Sequence, residues 1–247
     1  MSRAIQLAAW GKRQSTNYFP SSSPLKGPQN ELMLVLPGVS GNYASTPDTT
    51  ANSITGDIDL RVRVTMTDYT PASIQAFIAK DTEGAGGRSY AFFMNTDGTL
   101  GLIWSEDGTA LKTKASTSAT SVTDGATKWL RAVLDVDNGA VGNDVFFYTS
   151  NDGVTWTQLG TTVTTAATTS IFNSTSVDEV GSSATGTNKL FIGQIRRAMI
   201  LNGIAGTIVN DFNPNNAVAG ATTVNGLTGE VWTINTSGAT KAQILNS

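Results

Sequence analysis

The chain has 247 residues, a formal net charge of −3 and a pI near 4.9, a balance that argues against a dedicated nucleic-acid binder. It has no cysteine and no histidine, which excludes disulfides, thiol chemistry, Ser-His-Asp triads and His-ligated zinc. Hydrophobic residues make up 39%, enough for a core, whereas only 14% are charged, so Thr, Ser, Asn and Gly must supply the polar surface. Thr is β-branched and suits an exposed strand face, which favours sheet over helix.

In chain order, residues 1–36 read as an extended arm. Pro20, Pro24 and Pro28 stand among Ser21, Ser22, Ser23, Gly27 and Asn30, a density that blocks helix and central strand alike. A short helix is expected at most over residues 5–10. Arg3, Lys12, Arg13 and Lys26 are the charges of the first 30 residues, and no acid accompanies them. The arm cannot build a core of its own. Trp10, Lys12, Arg13, Tyr18, Phe19 and Leu25 are therefore its expected contacts with another chain. The apolar patch at the start is too short and too broken for a secretory signal, and no stretch reaches the roughly 18 apolar residues of a membrane span.

From residue 57 the pattern has a period of two. Ile58, Leu60, Val62, Val64 and Met66 alternate with Asp59, Arg61, Arg63 and Thr65, which predicts a strand with the first set buried and the second in water. Further strands are expected over 74–79, 89–94, 99–104, 129–136, 144–150, 154–159, 189–195, 197–201, 230–234 and 241–245. Leu130, Ala132 and Leu134 should face the core. Seven Asx-Gly pairs, from Asp97-Gly98 to Asn225-Gly226, punctuate these runs as tight turns. Residues 115–127 and 160–176, rich in Thr, Ser and Ala, read as long loops or edge strands. The whole predicts an all-β, two-sheet antiparallel sandwich over 37–247, preceded by the arm over 1–36.

Candidate chemistry is thin. Glycosidases need two carboxylates across one sugar bond. The five glutamates form no alternating acidic run, and Asp135 with Asp137 sits beside Asn138-Gly139, where turn capping explains the pair. Asp178 with Glu179, or Asp57 with Asp59, are the candidates for calcium, without EF-hand spacing to support either. Glu83-Gly84-Ala85-Gly86-Gly87-Arg88 lacks the Gly-Lys-Ser/Thr ending of a phosphate loop and reads as a hairpin tip. Ser150-Asn151-Asp152-Gly153-Val154-Thr155-Trp156 is one residue shorter than the Asp box of sialidase propellers and occurs once, so it reads as a turn. No catalytic residue, metal or cofactor is assigned.

Two runs carry a family resemblance. The first is Trp129-Leu130-Arg131-Ala132-Val133-Leu134-Asp135-Val136-Asp137, followed by Val145-Phe146-Phe147-Tyr148-Thr149-Ser150 and the Asp152-Gly153 turn to Trp156. The second is Leu190-Phe191-Ile192-Gly193-Gln194-Ile195-Arg196-Arg197-Ala198-Met199-Ile200-Leu201-Asn202-Gly203-Ile204. Both resemble laminin-G-like or concanavalin A-like jelly rolls, and the tail Thr228-Gly229-Glu230-Val231-Trp232-Thr233-Ile234 resembles the end of such domains in tailed-phage minor tail and head-decoration proteins. The resemblance implies a jelly roll and a non-enzymatic structural protein of a phage virion, made in the host cytoplasm. The expected partners are other virion proteins through the arm and further copies of the chain, with no nucleic acid and no membrane insertion. The alternative is a carbohydrate-binding module for a host surface glycan. Fold alone does not decide between them.

Overall fold

The computed structural model describes residues 31–247. The arm residues Trp10, Lys12, Arg13, Tyr18, Phe19 and Leu25, and the helix expected over 5–10, lie outside the described residues. Among the described residues the strands are, in chain order, β1 (Leu32–Pro37), β2 (Tyr43–Thr46), β3 (Ile58–Met66), β4 (Gln75–Asp81), β5 (Arg88–Met94), β6 (Thr99–Trp104), β7 (Lys112–Ala119), β8 (Thr127–Asp135), β9 (Gly142–Ser150), β10 (Thr157–Gln158), β11 (Val163–Ala166), β12 (Asp178–Val180), β13 (Ile192–Asn202), β14 (Thr207–Phe212), β15 (Thr223–Asn225), β16 (Val231–Asn235) and β17 (Gln243–Asn246). Short 3-10 turns stand at Thr50–Asn52 and Pro214–Asn216.

All pairings are antiparallel and form two sheets. The first, sheet A, runs β10-β9-β8-β3-β13-β1-β17, with β11 also on β9 and β14 also on β13. The second, sheet B, runs β15-β16-β2-β12-β4-β5-β6-β7. This is a jelly-roll sandwich. The period-two reading places its core correctly: Leu60 stands opposite Ala132 and Val62 opposite Leu130, and Ile58, Leu60, Val62, Val64, Leu130, Ala132 and Leu134 are all fully buried. Sheet B contributes Phe77, Tyr90, Phe92, Leu102 and Trp104 to the same cluster. Six of the seven Asx-Gly turns hold their glycine at positive φ, which is the conformation the turn reading requires.

Four readings need correction. Residues 32–36 are strand rather than arm: Leu34 and Leu36 point into the core, and this apolar alternation outweighs the proline signal that precedes it. The strands expected at 189–195 and 197–201 are one strand, β13, with a register shift between Ile195 and Arg197 that re-aims the chain without ending it. The strand expected at 154–159 shrinks to Thr157–Gln158, because residues 150–156 are spent on a turn. Asp59 is not in water but fully buried, because Arg61 and Arg131 enclose its carboxylate. The two low-complexity segments supply the peripheral strands β7 and β11, as one of their readings expected.

Candidate functional site

The carboxylate pairs proposed from sequence are separated by the period of the strand that carries them. Asp178 and Glu179 are neighbours on β12 and face opposite sides of sheet B, so they do not converge on one ion. Asp178 lies between the sheets, where it accepts hydrogen bonds from Tyr90 Oη (2.8 Å), Asn52 Nδ2 (2.7 Å) and Asn210 Nδ2 (2.6 Å). Burial pushes its carboxyl up to about 6, against the pull of nearby Lys80. Lys80 is itself enclosed and donates to Asp48 Oδ1 (2.5 Å) and to the Asn52 carbonyl (3.1 Å). This network is a polar plug that ties β4, β5, β12 and β14 together. Asp57 accepts from the Val136 amide (2.9 Å), a tie to the distant end of β8, and Asp135 caps its own turn by accepting from the Asp137 amide (3.2 Å). Among the described residues no group of three or more acidic side chains is arranged to hold a metal.

The outer face of sheet A is built on Asp59. Its two oxygens take Arg61 Nε (3.1 Å) and Nη2 (2.7 Å), Arg131 Nε (2.9 Å) and Nη2 (2.7 Å), and the Ala205 amide (2.9 Å). Burial raises the Asp59 carboxyl, but the two guanidinium groups outweigh it and hold the group below its ordinary value. The sequence reading put these charges in water because alternation alone does not reveal that Arg61 and Arg131 are cross-strand partners on the same face. Arg131 lies 4.9 Å from the Tyr148 ring and 5.5 Å from that of Trp156, and Arg61 lies 5.7 Å from Trp156.

Trp156 reaches this face because of the turn before it. Asp152 Oδ1 accepts from the Val154 and Thr155 amides (2.8 Å each) and from Ser150 Oγ (2.9 Å), and these bonds keep its carboxylate ionised well below the usual range. Gly153 has φ +75°, and a Cβ there would stand 2.7 Å from the Trp129 ring, so the turn closes directly on that indole. Trp129 and Trp156 meet edge to face at 6.4 Å. Beside them Phe146 and Tyr148 stack at 6.4 Å, both half-exposed. Ser105 and Asp107 repeat the turn at the end of β6, where Asp107 accepts from the Thr109 and Ala110 amides (2.8 Å each).

The outer face of sheet B has a different construction. Residues 181–191 link β12 to β13, and Ala184 (φ +54°), Thr185 (+54°) and Gly186 (+79°) form a left-handed turn, with Lys189 (+48°) close behind. Left-handed conformations cost non-glycine residues roughly 1–2 kcal/mol each, so something must hold them. The holder is Glu179, which accepts from Ser182 Oγ (2.6 Å), the Thr185 amide (2.6 Å) and the Gly186 amide (3.0 Å). Consecutive amides in such a turn form an anion nest, here filled by the chain's own carboxylate. Burial nevertheless raises the Glu179 carboxyl, and the charge of Asp81 adds to the rise. Asp81 is also buried, and neither of its carboxylate oxygens has a hydrogen-bond partner; Arg88 Nη1 comes no closer than 3.7 Å.

Two clefts border this link. One, of about 410 Å³, lies between residues 82–87, residues 175–177 and Thr185. The other, of about 500 Å³, is lined by Gly38, Ser73, Ile74, Ile192 and residues 187–190. In the sequence Glu179 stands out only as half of an acidic pair with Asp178. The sequence signal for the nest is the run Gly181-Ser182-Ser183-Ala184-Thr185-Gly186, small residues of which the Thr185 and Gly186 amides reach the carboxylate.

No protein-family model matches the chain, and no curated protein sequence matches it. Among solved structures, the carbohydrate-binding module CBM40 of the Ruminococcus gnavus IT-sialidase, bound to α2,3-sialyllactose, is 13% identical with a TM-score of 0.46, over 67% of this chain and 90% of that one. The native heptameric SAP-like pentraxin of Limulus polyphemus is 10% identical with a TM-score of 0.45, over 70% and 77%. Domains LG4-5 of the mouse laminin α1 chain are 11% identical with a TM-score of 0.47, over 70% and 42%. The jelly-roll assignment itself rests on the chain's own two sheets and their register.

Proposed function

We propose that the chain is a non-catalytic module of a phage particle, whose sandwich is displayed at the surface and whose N-terminal segment joins it to other virion proteins. The observation that carries this reading is charge segregation. Residues 1–30 hold four basic residues and no acid, so the remaining 12 basic and all 19 acidic residues fall in 31–247, a balance of −7. A cationic segment with Trp10, Tyr18, Phe19 and Leu25 as apolar anchors suits docking on an acidic partner. A low-charge, acidic sandwich suits display. The acids with the most ordered surroundings, Asp59, Asp152, Asp178 and Glu179, are each engaged in holding the fold, which is consistent with a binding role rather than hydrolysis.

The test is quantitative mass spectrometry of purified particles carrying either the full chain or a chain lacking residues 2–30. The full chain is expected at a fixed copy number and the truncated one is expected to be soluble, folded and absent from particles. Incorporation of the truncated chain at the normal copy number contradicts the proposal.

A second reading, adhesion to a host surface glycan, is favoured by the half-exposed Phe146–Tyr148 stack beside Trp156 and Arg131, since sugar rings stack on such aromatic faces. Loss of binding to host cell-surface polysaccharide in Tyr148→Ala, with an unchanged melting temperature, would support it. Unchanged binding would remove it.

A further inference from the structure

The link over residues 181–189 combines strain, a buried acceptor and a second buried acid with no donor of its own. Asp81 on β4 and Glu179 on β12 both face the outer side of sheet B: Glu179 stands opposite Ala79, two residues along β4 from Asp81, and the Ala184 amide of the link donates to the Asp81 carbonyl (2.9 Å). Their surroundings are mixed. Arg88 of β5 and Lys189 of the link act on Asp81 as cations, and Glu83 of the adjacent hairpin adds a further negative charge. Tyr43 of β2 lies under the turn, where its ring would meet a Cβ at Gly186 at 2.4 Å, and it feels the charge of Glu179. Lys80 and Asp178 belong to the opposite face and to the polar plug.

Every donor that reaches this pair goes to Glu179: Ser182 Oγ and the Thr185 and Gly186 amides. Asp81 receives none. Two carboxylates enclosed together resist double ionisation, and a single proton relieves both the repulsion and the cost of burying the second charge. We propose that residues 181–189 are seated by a proton: the link stays closed while Asp81 and Glu179 together carry one, and loosens when both are ionised. The direction follows from linkage. The closed arrangement holds protons more tightly than an opened, hydrated one, so acid favours closure and rising pH favours opening. Both carboxyls are raised by burial, in agreement with that direction.

Opening has a defined consequence. Thr185 walls one cleft and residues 187–190 wall the other, so a loosened link changes both at once. The device is independent of the role proposed for the chain on a particle.

Amide hydrogen exchange of the full-length protein from pH 5 to 8, corrected for intrinsic rates, tests it. Residues 182–189 are compared with the β6 strand, Thr99–Trp104, as an internal reference. In the wild-type chain the ratio is expected to rise with pH, by at most about tenfold per unit for one proton. In Asp81→Asn, which removes the second enclosed carboxylate, the link is expected to stay protected and the ratio to be flat. Glu179→Gln, which leaves Asp81 buried without a donor, is expected to keep a smaller rise; if that variant fails to fold, Asp81→Asn decides. A flat ratio in the wild type, or a rise that persists in Asp81→Asn, overturns the proposal.

Discussion

The two outer faces of the sandwich both bury acids, and they do so by opposite means. On sheet A, Asp59 is fully enclosed yet saturated, with two guanidinium groups and an amide on its two oxygens. On sheet B, Glu179 is saturated by neutral donors, and Asp81 beside it has none. Charge-assisted pairing holds the Asp59 carboxyl low, so its contribution is lost in acid. On the second face Arg88 and Lys189 act on Asp81 only through their charge, without a hydrogen bond to it, and burial raises both carboxyls. Burial alone therefore says little about what an acid does; whether cationic donors reach its oxygens decides.

The largest expected effect removes the centre of the first face. Asp59→Ala leaves Arg61 and Arg131 unpaired in a largely enclosed site and should cost about 3–5 kcal/mol in urea unfolding. The Trp156 fluorescence should change with it, because both guanidiniums lie against that ring. A loss below 1 kcal/mol would show that the network is incidental. For scale, Leu134→Ala in the shared core should cost about 2–5 kcal/mol.

On the second face, Gly186→Ala places a Cβ against the Tyr43 ring at a left-handed position. It should cost about 1–3 kcal/mol from overpacking, with the conformational term in addition. A neutral result would mean that the turn is already free to move.

The pH dependence separates the two constructions more finely. The Asp59 carboxyl is lowered in the fold, so its stabilisation is present above the ordinary carboxylate value and is lost as pH falls through and below it. Asp178, raised to about 6, does the reverse. The folded state keeps its proton where the unfolded state has lost it, so stability falls as pH rises from about 4 to 6. Asp178→Asn should flatten that second slope in unfolding measured at several pH values. A wild-type curve that only rises over this window would contradict the assignment.

The smallest effect is Thr185→Gly. It relieves a left-handed residue by about 1–2 kcal/mol and gives back about 0.5–1 kcal/mol through the flexibility of the unfolded chain. A slight gain in melting temperature is expected, and a loss would mean that the Thr185 side chain, which donates to the Ala184 carbonyl, contributes more than its strain.

What the sequence made legible follows the same division. Strands with one apolar face, such as Ile58–Met66 and Thr127–Asp135, were readable because alternation survives whatever covers the other side. Strands too short to alternate were not: Asp178–Val180, Thr223–Asn225 and Tyr43–Thr46 take their places from their neighbours. The turn at Asp152-Gly153 was legible as a turn, since its chemistry is local. That it delivers Trp156 onto Arg61 and Arg131 was not, because this depends on cross-strand register between residues far apart in the chain. The Glu179 nest was hidden for a related reason. Its donors are mostly backbone amides, which a sequence shows only as small residues.

The account's central claim, that the sandwich is displayed on a particle and joined to it through the segment before Leu32, is tested most directly by electron cryomicroscopy of the intact phage. The account predicts density for a two-sheet sandwich on the particle exterior, continuous with the particle through its N-terminal segment alone. Intact particles without such density, or a sandwich fixed to its neighbours by the outer face of either sheet, would contradict it.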